Sequence, residues 1–302
     1  KEQGIAIVYI SHRISEIFEI SDDVTVLRDG KHVKTANTND VTEKDLIKLM
    51  VGREVTNIFN REKFEPGRVV LEVKHFSRRG AFGPISFTVK EGEVLGLSGL
   101  MGAGRTEIAR CIFGLDKPDT GEIYLNGKKI EINSPIDAIS NGIVYVSEDR
   151  RREGIVPKMS VRENITLASF GWIDTKIEND VTREYITKLR IKTPSAEKNI
   201  ENLSGGNQQK CCLAKWLNRN PNLIIMDEPT RGIDVGAKSE IHKLIEELCR
   251  EKIAVIMISS ELLEIIGSSD RIIVLYEGKI TGKFDSVIEL TEEIVMRAAA
   301  GF

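Results

Sequence analysis

Apolar and polar positions fall into short, regular blocks along most of this chain. Residues 69–73 and 85–89 alternate or cluster like strands. Residues 94–97, 143–146, 223–226, 255–258 and 272–275 are short apolar runs of the kind that fits strands covered on both faces. The run at 94–97 leads into a glycine-rich turn, and 106–113 reads as a helix. Helical patterns separate several of the runs, which predicts parallel crossovers and an α/β fold.

The pattern also repeats. Ile5-Ala-Ile-Val-Tyr-Ile-Ser-His-Arg13 lines up with Ile253-Ala-Val-Ile-Met-Ile-Ser-Ser-Glu261. At the same offset, Ser21-Asp-Asp-Val-Thr-Val-Leu-Arg-Asp-Gly-Lys31 matches Ser269-Asp-Arg-Ile-Ile-Val-Leu-Tyr-Glu-Gly-Lys279. Val41-Thr-Glu43 matches Leu290-Thr-Glu292, and Gly52 matches Gly301, after a slip of one residue. The period is that of a whole domain and far exceeds a solenoid repeat. It implies that residues 1–53 are the tail of a first domain and that 68–302 form a second, complete copy. Residues 54–67 are polar, close on Pro66-Gly67 and read as the linker. The first residue is Lys1 rather than Met, in keeping with further chain upstream.

Composition narrows the function classes. With 41% hydrophobic and 29% charged residues, the chain has the mix of a soluble globular protein. A net charge of −3 leaves no basic footprint for nucleic acid. The longest apolar runs are too short to span a bilayer, and no basic-then-apolar leader opens the chain. Cys111, Cys211, Cys212 and Cys249 fit neither zinc nor disulfide spacing and read as small core or surface residues in a reducing cytosol.

The glycine-rich turn is the first candidate for chemistry. Gly99, Leu100, Met101, Gly102, Ala103, Gly104, Arg105 and Thr106 follow a strand and open a helix, the context a phosphate-binding loop requires. Glycines let successive backbone N–H groups turn toward phosphate oxygens, and the helix N-terminus adds its positive dipole end. Thr106 supplies a hydroxyl for Mg²⁺, and Arg105 stands where Lys is usual. Arg keeps the charge but is planar and bulkier. Further on, Leu203-Ser-Gly-Gly-Asn-Gln-Gln209 opens another helix, where Ser204 can cap or bind an anion and Gly205 and Gly206 permit close approach.

That stretch resembles the signature motif of ABC ATPases. A carboxylate-bearing strand follows it, Leu223-Ile-Ile-Met-Asp-Glu228. Open α/β sheets bind ligands at the C-terminal edge where Asp227 and Glu228 emerge. Asp227 would hold Mg²⁺ with Thr106, and Glu228 would orient or deprotonate the attacking water. Together with Val146-Ser-Glu-Asp-Arg150 and Thr230-Arg-Gly-Ile-Asp-Val-Gly236, these variants look like the second cassette of ribose-, galactose- and xylose-type importer ATPases.

The resemblance implies a P-loop ABC-type fold, with a mostly parallel core sheet, an antiparallel β subdomain and a helical subdomain. It implies ATP and Mg²⁺ as cofactors, and each ATP held between one cassette's phosphate loop and the other's signature. The implied partners are a first cassette of the same chain, an integral-membrane sugar permease and, indirectly, an extracytoplasmic sugar-binding protein. The implied location is the cytoplasmic face of the inner membrane, peripherally bound. Two positions depart from the family. Ser260 stands where a switch His is expected, while the first copy keeps His12. Glu148 stands where a Gln is expected near Mg²⁺. With Arg105 these imply one working composite site, served by His12 and Ser204-Gly-Gly206, and one weakened site. Ser160-Val-Arg-Glu163 reads as a capping box that either starts a plain helix or borders the permease contact. Phe76 and Phe82 are either adenine-stacking or core residues. A non-hydrolysing regulatory module and a soluble ABC ATPase acting on ribosomes or DNA are the alternatives. The second lacks the helical insert or basic face it would need.

Overall fold

The computed structural model describes residues 4–10, 14–28, 31–42, 45–46, 49, 65–169 and 174–302. The elements run α1 (Ile14–Ile20), β1 (Asp23–Arg28), β2 (Lys31–Asn37), β3 (Val69–Arg78), β4 (Phe82–Lys90), β5 (Val94–Gly99), α2 (Arg105–Phe113), β6 (Thr120–Leu125), β7 (Lys128–Ile130) and α3 (Pro135–Ser140). They continue β8 (Ile143–Val146), α4 (Val161–Thr166), α5 (Thr175–Lys188), α6 (Gly205–Leu217), β9 (Leu223–Asp227), α7 (Val235–Arg250), β10 (Ala254–Ile258), α8 (Leu262–Ser268), β11 (Arg271–Tyr276), β12 (Lys279–Phe284) and α9 (Glu292–Ala299).

Six strands form the central sheet in the order β12-β11-β5-β10-β9-β8. Its neighbours pair in parallel except β12, which closes one edge antiparallel to β11. The continuous apolar runs are explained by burial on both faces. Val144, Val146, Ile224, Met226, Val255 and Met257 point into one core, against α4, α6 and α7. Their alternates Tyr145, Ile225, Ile256, Leu95 and Leu97 point into the other, against α2, α3 and a second sheet. That sheet is antiparallel, in the order β4-β3-β6-β7. Full burial of each such side chain stabilises the fold by about 1.5–3 kcal/mol before conformational entropy is counted.

The strand expected at 69–73 continues to Arg78. Alternation stops at Lys74 and His75 because β3 is bulged there: its register with β4 shifts between Val73 and Phe76, and His75 has φ 48°. The capping box at the start of α4 is closed in both directions, Ser160 N–H to Glu163 Oε2 at 2.7 Å and Glu163 N–H to Ser160 Oγ at 3.2 Å. All four cysteines are buried and unbridged. Desolvation raises the thiol pKa of Cys111, Cys211 and Cys212, that of Cys212 to about 11, which holds their reactivity down.

The N-terminal segment has the same element order as the end of the chain. Helix α1 with β1 and β2 matches α8 with β11 and β12 at one constant offset. The register of β1 with β2 shifts between Val26 and Leu27, and that of β11 with β12 between the equivalent Val274 and Leu275. Val24, Val26, Val41 and Leu46 form a small core of their own.

Candidate functional site

The glycine-rich turn lies between β5 and α2, at the C-terminal edge of the parallel strands. Two of its glycines are required by geometry. Gly99 has φ 146°, and a Cβ there would meet the Leu275 carbonyl at 2.3 Å. Gly104 has φ 97°, and a Cβ would lie 2.9 Å from the Ala81 carbonyl and 3.3 Å from Phe82 Cβ. Gly104 is the N-cap of α2 and provides no side-chain cap, so the first-turn N–H groups keep their capacity for an anion. Leu100 and Met101 form the exposed tip of the turn, whereas Ala103 is buried.

Arg105 does not extend into the turn. Its side chain is 10% exposed, its Nη1 donates to the Ser259 carbonyl at 2.9 Å, and the same atom lies 3.9 Å from Glu228 Oε1. Length and planarity make this possible, because a guanidinium can hold a carbonyl and face a carboxylate together. Asp227 closes β9 and is fully buried. Tyr145 Oη donates to its Oδ2 at 2.9 Å, while Oδ1 carries no hydrogen bond. Burial raises the Asp227 pKa, and the Thr106 and Tyr145 hydroxyls oppose the rise. A buried carboxylate oxygen without a donor beside a threonine hydroxyl is the donor set a hard divalent cation takes, so Thr106 and Asp227 fit Mg²⁺.

Glu228 follows with φ 47°, its N–H bonded to the Ile258 carbonyl at 2.9 Å. Ser260 Oγ donates to Glu228 Oε2 at 3.1 Å. Burial raises the pKa of this carboxyl, and Ser260 and Arg105 pull it back. Behind it lies a polar cluster with no counterpart among the sequence expectations. Glu264 is buried and accepts from Thr230 Oγ1 at 2.6 Å and from Ser259 Oγ, with His242 Nε2 at 3.0 Å. Burial alone would raise the Glu264 pKa, but these contacts outweigh it and hold the carboxyl below its usual range. Glu264 therefore braces both Thr230, just after Glu228, and Ser259, whose carbonyl holds Arg105.

The second helix start differs in character. Ser204 is the N-cap of α6 and exposed, and its side chain makes no capping bond, so the expected choice between cap and ligand falls away from the cap. Its Oγ accepts from Asn207 Nδ2 at 2.9 Å. Gly206 is pressed on α7, where a Cβ would lie 2.5 Å from Ala237 Cβ. Gln208 is buried, and its Nε2 donates to the Leu203 carbonyl at 3.1 Å and the Ile200 carbonyl at 3.3 Å, shaping the approach to the turn.

A family described as ABC transporter matches residues 82–231. A ribose import ATP-binding protein of Caldanaerobacter subterraneus subsp. tengcongensis is 52% identical over 308 residues, covering 100% of this chain and 62% of its own length. A xylose import ATP-binding protein of Thermoanaerobacter pseudethanolicus is 50% identical over 315 residues, with the same coverages of 100% and 62%. The chain belongs to the ABC transporter ATP-binding family. It spans about three fifths of the length of the curated relatives it matches. Among solved structures, an ATP-binding cassette of an ABC transporter in its ADP conformation superposes with a TM-score of 0.66 at 22% identity, covering 78% of this chain and 100% of that one. A cassette from Clostridium perfringens, part of an ABC transporter complex, gives 0.65 at 24% identity, covering 77% and 94%. Both support the ABC ATPase fold.

Within this ABC fold, Thr106, Asp227, Glu228 and Arg105 are brought together. Glu148 forms an ion pair with Arg231. Among the described residues no three His, Cys, Asp or Glu side chains group so that they could hold a metal ion. Phe76 and Phe82 are both buried, with ring centroids 5.8 Å apart, so both belong to the core and neither presents a face for adenine. His12 lies outside the described residues. Among the described residues no helix is long and apolar enough to cross a membrane. The Glu264 cluster was missed because a lone buried acid carries no periodic signal, and Arg150 entered only as part of the motif at 146–150, with no role assigned to it.

Proposed function

We propose that this chain is the second cassette of a tandem ATPase that binds Mg-ATP and energises import of a monosaccharide through an integral-membrane permease. Residues 1–53 would then be the tail of the first cassette, 54–67 the linker and 68–302 the second cassette. The single observation that carries the ATPase reading is the convergence at one sheet edge. There an uncapped helix start, the Thr106 and Asp227 pair, and Glu228 meet beside Arg105. The sugar reading rests on relatives half identical to this chain whose names specify ribose and xylose import. It brings with it an extracytoplasmic sugar-binding protein as indirect partner, and a peripheral position on the cytoplasmic face of the inner membrane.

The chain's residues divide the work as follows. The N–H groups of residues 99–106 hold the phosphates. Thr106 and Asp227 would hold Mg²⁺, which when bound neutralises phosphate charge. Glu148, here paired with Arg231, would join them as a further oxygen ligand. Glu228 orients the attacking water and takes its proton, a task suited to a carboxyl whose burial raises its basicity. Ser204, Gly205 and Gly206 face the nucleotide of the other cassette, and His12 serves that same composite site.

This cassette's own site is the weaker of the two. Arg105 is docked on the Ser259 carbonyl and beside Glu228, and Ser260 is bonded to Glu228. A nucleotide-holding module with little turnover is the second reading, favoured by that docking. Retained hydrolysis in the complete tandem polypeptide separates the two, and a calorimetric titration of this chain with Mg-ATP, alongside a phosphate-release assay, tests the weak site itself. Binding weakened by Arg105→Ala with little phosphate released is the expected result. Brisk release that disappears in Glu228→Gln would overturn the weak-site reading, and absence of any binding would overturn the nucleotide reading of this loop.

A further inference from the structure

The segment after β8 makes a five-residue π-turn, Arg150–Gly154, whose position is set by its neighbours. Asp149 Oδ1 accepts from the N–H groups of Arg151 and Arg152 at 3.2 and 3.1 Å, which fixes the near end. Lys215, buried in the last turn of α6, donates to the Gly154 carbonyl at 2.7 Å and fixes the far end. A Cβ on residue 154 would lie 2.9 Å from Cys212 Sγ, so the turn rests directly on α6.

Arg150 reaches from this turn to two loops. Its Nη1 donates to the Arg231 carbonyl at 2.9 Å and its Nη2 to the Gly232 carbonyl at 3.2 Å. The same guanidinium packs under the start of α6. A Cβ on residue 205 would lie 2.6 Å from Nη2 and 3.1 Å from the Gly232 carbonyl. Glycine at 205 thus leaves room for Arg150 and the 231–232 backbone to approach this closely. Nε of Arg150 is buried without a partner, so the guanidinium is committed to the two carbonyls at the expense of its third donor. On the other side of the loop, the Arg231 side chain is paired with Glu148. The segment 148–154 therefore grips the 231–232 loop by side chain and by backbone, and touches the Ser204-Gly205-Gly206 turn through the same arginine.

We propose that Arg150 is a positioning residue that sets the Ser204-Gly205-Gly206 turn against the loop at 231–232, so that the turn meets nucleotide in one fixed geometry. The fork holds the two carbonyls from separate nitrogens at fixed spacing, a geometry that the single nitrogen of a lysine on its flexible stem does not reproduce. The proposal rests on reading that turn as nucleotide-facing.

The test compares Arg150→Ala, Arg150→Lys and Ser204→Arg in the full-length tandem polypeptide, measuring kcat and KM for ATP, with calorimetric ATP binding by this chain as a second readout. Ser204→Arg should abolish turnover. Arg150→Ala should lower kcat by about ten-fold or more with KM changed by less than about two-fold, the signature of a contact misplaced rather than a ligand lost. Arg150→Lys should recover little of it, and ATP binding by this chain should be unchanged in both Arg150 variants. Turnover within two-fold of wild type in Arg150→Ala, with Ser204→Arg inactive, would overturn the positioning role. Full turnover in Ser204→Arg would overturn the nucleotide-facing reading and the proposal with it. Loss of both ATP binding and turnover in Arg150→Ala, with Arg150→Lys like wild type, would assign the residue to folding and also overturn the proposal.

Discussion

Residues 5–10 and 253–258 share an apolar pattern, but among the described residues only the second has neighbouring strands to pair with. In the second copy, residues 254–258 form β10, wholly buried between β5 and β9. In the first copy the equivalent residues form no strand, and Ile7, Val8 and Ile10 are 75%, 90% and 92% exposed. The hairpins that follow behave alike: β1 with β2 and β11 with β12 pair antiparallel and break register at equivalent residues. Each of these hairpins is closed by its own short turn, so each strand has its partner near in sequence. A central parallel strand has every partner far away, and its apolar content alone cannot make it a strand.

This contrast can be broken most severely at the strand itself. Ile256→Ala should cost about 2–5 kcal/mol of stability through transfer and cavity terms, whereas Val8→Ala should stay within about 0.5 kcal/mol. Urea unfolding of the two variants measures the difference, and equal losses would mean that residues 5–10 have a buried strand's environment after all.

A smaller effect tests the strand ends, where the copies differ as His12 against Ser260. Ser260→His should raise phosphate release by this chain about ten-fold, because an imidazole reaches further than a hydroxyl and can carry charge. Unchanged release would place the weakness elsewhere, with Arg105 the next residue to replace.

The smallest effect is a displacement along the pH axis. Glu228 must be ionised to take a proton, and burial raises its pKa. Phosphate release should therefore fall, as pH is lowered, at a higher pH than an ordinary glutamate would give. A profile that falls only within the usual carboxylate range would remove Glu228 as the base. The linkage to stability has the same origin: the folded state binds this proton more tightly than the unfolded chain, so ionisation of Glu228 costs stability as pH rises through its folded pKa.

Much of the site was legible in the sequence because its chemistry follows local rules. The glycine turn after an apolar run, the serine-glycine pair before a helix, and the acids closing an apolar strand depend on residues within a few positions of one another. The domain-length repeat was legible for the same reason, since hairpin and helix patterns recur residue by residue. The bulge at His75 was not, because it is set by pairing with β4.

Only the tertiary structure decided where the long charged side chains point. Arg105 faces the Ser259 carbonyl, Glu148 faces Arg231, Arg150 spans the 231–232 carbonyls, and Glu264 gathers Ser259, Thr230 and His242. Each of these partners lies on a different element, joined only when the strands take their places in the sheet. Sequence alone determined which backbone turns and strands could form, because steric and hydrophobic preferences act between near neighbours. The directions of flexible side chains with several possible partners were fixed by desolvation and hydrogen bonding between segments that the fold alone brings together.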